Sequence, residues 1–75
     1  MRAIHEIATE IRKTWPSPYF GARPYLDAMS CLNSASDSYG MDDAKSIVIY
    51  FLCNATTWRG EDARRIKKEL KDAIR

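Results

Sequence analysis

Ala44-Lys45-Ser46-Ile47-Val48-Ile49-Tyr50-Phe51-Leu52-Cys53-Asn54-Ala55 is the stretch on which the fold of this chain turns. Its centre, Ile47 to Phe51, is a β-branched and aromatic run of the kind strands favour. Against that, Ala44, Ile47, Val48, Phe51, Leu52 and Ala55 recur at spacings of three and four, the period of one helix face. The run is not bounded by turn residues, and no second strand candidate exists to pair with it. A lone strand would leave its backbone donors and acceptors unpartnered, so the stretch is expected to be a helix. Asp42 or Asp43 is placed to cap it. Ile49, Tyr50 and Cys53 make the opposite side apolar as well, so this helix is either central or covered by a partner.

On its C-terminal side, Thr56 and Thr57 open a connection. Glu61 and Asp62 then fall in the first turn of another helix, where negative charge favours the positive end of the dipole. That helix should run to about Ile74, with Ala63, Ile66, Leu70, Ala73 and Ile74 facing inward. On the N-terminal side, Asn33 to Ser38 is rich in side chains that compete for backbone hydrogen bonds, and Gly40 fits a turn that needs positive φ. Before it, Pro24 suits a first helical position, and Tyr25, Ala28, Met29 and Leu32 repeat the three-four spacing. Earlier still, Ile4, Ile7, Ala8, Ile11 and Trp15 form one stripe of a helix from Ala3 to Trp15, which Pro16-Ser17-Pro18 terminates. The expected fold is all-α, a compact bundle of about four helices in a single domain spanning residues 1–75. One core of this size supplies roughly 3 to 5 kcal/mol, so the helices must pack well or a partner must help.

The longest uninterrupted apolar run, Ile47 to Cys53, is far short of the roughly 18 to 20 residues that a membrane span requires. No secretory succession of charged, apolar and small residues stands at the N-terminus, and Met1 reads as the native start. A cytoplasmic location is therefore expected. There the only cysteines, Cys31 and Cys53, would remain thiols, and they read as two buried small hydrophobes. The sequon Asn54-Ala55-Thr56 then has no access to glycosylation.

No constellation in the sequence supports catalysis. His5 lies off the apolar stripe of its helix with no neighbouring nucleophile, which makes it a solvated histidine. A zinc site from His5, Cys31, Cys53 and an aspartate lacks every usual spacing. Asp37, Gly40, Asp42 and Asp43 do not match the ligand positions of a calcium loop. Phosphate-binding, dinucleotide-binding and nucleophile-elbow glycine motifs are absent from the sequence. No catalytic residue, metal, cofactor or small-molecule substrate is assigned.

Charge is more informative. Residues 24–57 carry one lysine against four acids, whereas residues 58–75 carry seven basic residues against four acids. Arg64, Lys67, Lys68, Lys71 and Arg75 recur at three-four spacing and share one side of the last helix, with Glu61, Asp62, Glu69 and Asp72 on another. Such a basic ridge is either an ordinary solvated face or an anion-facing surface, with Trp58 and Arg59 at its entrance as stacking groups. A helix-turn-helix arrangement fits poorly, because the first turn of the would-be recognition helix is acidic. Trp58 is expected to pack on the preceding helix as a last core residue, the alternative being an exposed anchor. Tyr19, Phe20, Tyr25 and Tyr39 are open to either reading.

Pro24-Tyr25-Leu26-Asp27-Ala28-Met29, the run from Ala44 to Leu52 and the run from Thr57 to Leu70 resemble small helical proteins encoded in prophages and mobile elements of Gram-positive bacteria. The resemblance covers most of the chain. It implies a short cytoplasmic accessory protein that binds a host or phage macromolecule, and it transfers no activity to any residue. The expected function is accordingly a non-catalytic protein-interaction module, through a protein partner or self-association. The alternative is a nucleic-acid-binding accessory protein using Trp58, Arg59, Arg64, Lys67, Lys68, Lys71 and Arg75.

Overall fold

The computed structural model of the chain describes residues 2–34, 36–40 and 42–74, the side chain of Tyr39 excepted. Four helices appear among them: α1 (Ile4–Thr14), α2 (Arg23–Met29), α3 (Ala44–Cys53) and α4 (Glu61–Ala73). Two two-residue strands, β1 (Ser38–Tyr39) and β2 (Asp42–Asp43), pair antiparallel just before α3, with Ser38 opposite Asp43 and Tyr39 opposite Asp42. The fold is an all-α four-helix bundle. Helix α3 packs chiefly on α2, and α1 packs on both α2 and α4.

The starts of α2 and α3 are set locally and that of α1 by a remote segment. Asp43, with extended backbone, caps α3 by accepting from the Ser46 amide at 2.7 Å. Pro24 opens α2 where its missing amide proton costs nothing. Helix α1 has no side-chain cap; instead its Ile4 and His5 amides donate to the backbone carbonyls of Asn33 and Leu32, at 2.9 and 2.8 Å. The exit of α2 thus satisfies donors that a helix start leaves unpaired. The turn after α2 is held by Asp37, whose carboxylate accepts from the Asn33 and Ser34 amides. Gly40, at φ 61°, lets the chain reverse between β1 and β2.

Two boundaries differ from the periodic reading. The second helix ends at Met29, not at Leu32, because Cys31 and Leu32 make tighter backbone bonds to Ala28 and Met29. Leu32 is nevertheless fully buried. The β1–β2 pair has no counterpart in the sequence reading, since two residues per strand are too few to generate an alternating pattern.

The core holds Ile4, Ile7, Ala8 and Ile11 of α1, Leu26, Ala28 and Met29 of α2, Ala44, Ile47, Val48 and Phe51 of α3, and Ala63, Ile66 and Leu70 of α4. At its margin the half-buried Trp15 ring stacks in parallel on the buried Trp58 ring with centroids 5.4 Å apart. Phe51 meets both edge-on, at 6.3 and 6.5 Å. Around the α1–α4 seam, Arg2 pairs with Glu69 at 2.6 Å and Glu10 at 2.7 Å, and Arg65 pairs with Glu10 at 2.6 Å and Asp62 at 3.3 Å. These guanidinium hydrogen bonds hold the carboxyls of Glu10 and Glu69 below their ordinary range.

Truncating Phe51 to alanine removes the ring that both tryptophans contact and should cost about 3 to 5 kcal/mol, which matches the whole stability such a core supplies. A thermal melt followed by circular dichroism should find Phe51→Ala largely unfolded; an unchanged melting temperature would refute the packing described. A second expectation concerns acid. Because the folded values of Glu10 and Glu69 are depressed, their contribution is fully present above the unfolded carboxyl value of about 4.3 and lost as pH falls through the folded values. The Glu10→Gln, Glu69→Gln double variant should therefore melt lower than wild type at neutral pH and converge with it in acid. Parallel melting curves across that range would exclude the seam as the acid-sensitive element.

Candidate functional site

Two surfaces of the bundle carry features that packing alone does not account for. The first lies where α3 gives way to α4. After Cys53 the chain turns through Ala55, whose carbonyl accepts from the Trp58 amide at 3.1 Å, and Gly60 starts α4 at φ 116°, with no side chain capping it. Trp58 is only 4% exposed, a core residue as its sequence context suggested. The turn leaves the carbonyls of Ala55 and Trp58 directed at α4, and the Lys67 ammonium donates to both at 2.7 Å. The same ammonium stands 5.8 Å from the centre of the Trp58 ring. Burial, together with the nearby charges of Lys71 and Arg59, pushes Lys67 below the ordinary lysine value.

A cleft of about 410 Å³ opens at this place, between Thr56, Trp58, Arg59 and Gly60 of the turn and Ala63, Arg64 and Lys67 of α4. The structure thus brings Trp58, Arg59, Arg64 and Lys67 together. Lys68 and Lys71 are exposed on the same helix, and Arg75 lies outside the described residues. Within the ridge Lys67 is distinct: it is partly buried and two of its three protons are committed to carbonyls. Two of the acids of α4, Asp62 and Glu69, are engaged at the α1 seam by Arg65 and Arg2. Arg59, Arg64, Lys68 and Lys71 make no ion pair among the described residues.

The second surface is apolar. Phe20 is 73% exposed, Tyr50 49%, Ile49 48% and Tyr19 45%. The Tyr19 and Phe20 rings pack on each other at 4.8 Å, and Tyr50 packs on the half-buried Tyr25 at 5.6 Å. Gly21 lies against the end of α3, where an added Cβ would lie 2.6 Å from the Tyr19 ring and 2.8 Å from the Asn54 side chain. The loop before α2 thus touches the end of α3, and Tyr50 of α3 reaches Tyr25 of α2, so the exposed rings lie where α2 and α3 adjoin. Of the four aromatic residues whose place the sequence left open, Tyr19 and Phe20 belong to this face, Tyr25 packs against the core, and the Tyr39 side chain is not described.

Both cysteines depart from expectation. Cys31 and Cys53 are free and exposed, not buried. Cys53 lies one turn beyond Ile49 on the outer side of α3, and Cys31 follows α2 with its thiol near the Asp27 carbonyl at 4.0 Å. The Ile49, Tyr50, Cys53 grouping in the sequence was the available signal. His5 is exposed, and with Glu6, Thr9 and Lys13 it edges a shallow cleft of about 470 Å³ outside α1. No group of three metal-ligating side chains converges among the described residues, and no helix among them is long and apolar enough to cross a membrane.

Exposure makes the thiols chemically testable. Both should react with a thiol-specific reagent in native buffer as completely as in denaturant, and the Cys31→Ala, Cys53→Ala variant should melt within about 0.5 kcal/mol of wild type. A thiol titrating only after unfolding would show that a cysteine belongs to the core.

A scan against protein-family models, a search of curated proteins and a search of solved structures each found no match to this chain.

Proposed function

We propose that this chain is a non-catalytic interaction module that docks an apolar segment of another protein on the face formed by Tyr19, Phe20, Ile49 and Tyr50. The observation that carries the reading is the exposure of three aromatic rings and an isoleucine from α3 and the loop that touches its end, in a bundle whose other large apolar residues, among the described residues, are at least partly buried. Aromatic side chains bury about 150 to 250 Å² each, so these four residues leave on the order of 400 Å² of apolar surface in water. That is within the range of patches that mark interaction sites. An isologous pair of copies joined through this face alone would bury about 800 Å² in total, below the roughly 1,200 Å² of a stable interface. A different protein, extending past the patch, is the occupant the area favours.

The resemblance to prophage and mobile-element proteins supports an accessory role of this kind in the cytoplasm. A nucleic-acid-binding role is the second reading, favoured by Arg59, Arg64, Lys68 and Lys71, which make no ion pair among the described residues. A formal net charge of only +2 weighs against strong nonspecific affinity.

Affinity capture from host extract with wild type and with a Phe20→Ser, Tyr50→Ser variant of equal melting temperature tests the proposal, each with and without nuclease. The expected result is a protein that wild type retains after nuclease and the variant loses, with wild type monomeric in sedimentation. Retention by both chains, or a captured set that vanishes with nuclease, would overturn it. A patch-dependent dimer would replace the foreign partner with a second copy.

A further inference from the structure

We propose that the cleft beneath the Trp58 turn binds the carboxylates of an acidic peptide segment, received by Arg59, Arg64 and Lys71 around the anchored ammonium of Lys67. The inference rests on reading the chain as a protein-binding module, and it assigns that module a second contact, separate from the aromatic face.

Three observations support it. First, Lys67 is fixed before any ligand arrives: its two carbonyl bonds and the Trp58 ring hold it at the cleft, so little side-chain freedom remains to be lost on binding. Second, the electrostatics are one-sided. The charges that act on Lys67 come from Lys71 and Arg59, both cations, while Asp62 and Glu69 are held at the α1 seam by arginines. An incoming carboxylate would relieve repulsion among like charges and displace no existing ion pair. Third, the open groups suit the ligand. The guanidinium forks of Arg59 and Arg64 match a carboxylate in two-point geometry, and neither is committed to an acid among the described residues.

The length of the site favours a peptide over a nucleic acid strand. At 1.5 Å per residue the cations from Arg64 to Lys71 span only about 10 Å of α4. Glu61 and Asp62 stand at the start of that helix. A phosphate strand continuing past Arg64 would run toward those carboxylates, whereas a few acidic residues can end within the cationic stretch.

Titration of the labelled full chain by nuclear magnetic resonance tests this, with an oligoglutamate peptide, an oligoglutamine peptide of equal length, and a short mixed-sequence DNA duplex. Oligoglutamate should shift the Gly60, Ala63 and Arg64 amides and the Trp58 indole saturably, and less so at higher salt. Oligoglutamine should not. The Arg64→Gln, Lys71→Gln variant, which alters only exposed side chains, should keep its melting temperature and bind oligoglutamate roughly tenfold more weakly. Three results would overturn the site: no saturable shift, equal affinity in that variant, or tighter binding to the duplex with a salt slope of about 0.9 per phosphate contact. The Phe20→Ser, Tyr50→Ser variant should bind oligoglutamate as wild type does. Failure of the cleft is therefore separable from failure of the aromatic face.

Discussion

The parallel stack of Trp15 on Trp58, with Phe51 edge-on to both, is the contact through which the remaining elements find their places. Trp15 follows α1, Phe51 belongs to α3, and Trp58 lies in the turn before α4, so three rings join segments that are distant in the chain. Each ring brings far more buried area than an aliphatic side chain, which matters in a chain too short to rely on many layers. The stack also sets the turn after α3. With the Trp58 side chain drawn into the core, its carbonyl and that of Ala55 face α4, and Lys67 meets both. Buried carbonyls without partners would be costly, so the lysine serves the fold as well as the surface.

Around this centre the charges are sorted by side. Arginines 2 and 65 gather Glu10, Asp62 and Glu69 along the α1–α4 seam. Surface pairs of this kind contribute little singly, but Asp62 and Glu69 are turned to the seam while Arg64, Lys67, Lys68 and Lys71 lie on the other side of α4. The aromatic face of α3 is formed by residues the core does not need: Ile47, Val48 and Phe51 already fill the inner side of that helix, which leaves Ile49 and Tyr50 outward. The buried and the exposed apolar residues of α3 thus lie on different sides of the same helix.

The helical layout was legible because its signals are local. Three-four spacing placed Ile47, Val48 and Phe51 inward, the position before an apolar run narrowed the cap to Asp42 or Asp43, of which the fold uses Asp43, and Gly40 was recognisable as the residue of a positive-φ turn. Trp58 followed from its size. What escaped depends on contacts between remote segments. Nothing near Arg2, Glu10 or Arg65 in the sequence announces that they will meet, because the pairing is decided by how α1 and α4 lie together. Lys67 looked like its neighbours in the ridge, since its acceptors are backbone carbonyls whose direction the sequence does not encode. The cysteines were misplaced for another reason: a general tendency of thiols to be buried was set above the position of Cys53 beside Ile49 and Tyr50.

The way α1 begins bears on how the molecule assembles. Its first two amides are satisfied by carbonyls of Leu32 and Asn33, and its 11 residues are fewer than an isolated helix needs to persist in water. Helix α1 therefore has little reason to exist before the exit of α2 is formed. Asp43 gives α3 a cap from within its own segment, and α4 carries acids in its first turn, so the starts of those two helices do not draw on a remote segment in the same way. The consequence is a dependence of one helix start on another helix's exit: the first turn of α1 loses its partners whenever the exit of α2 opens. Making that contact carries the loop entropy of bringing residues 4 and 5 to residues 32 and 33.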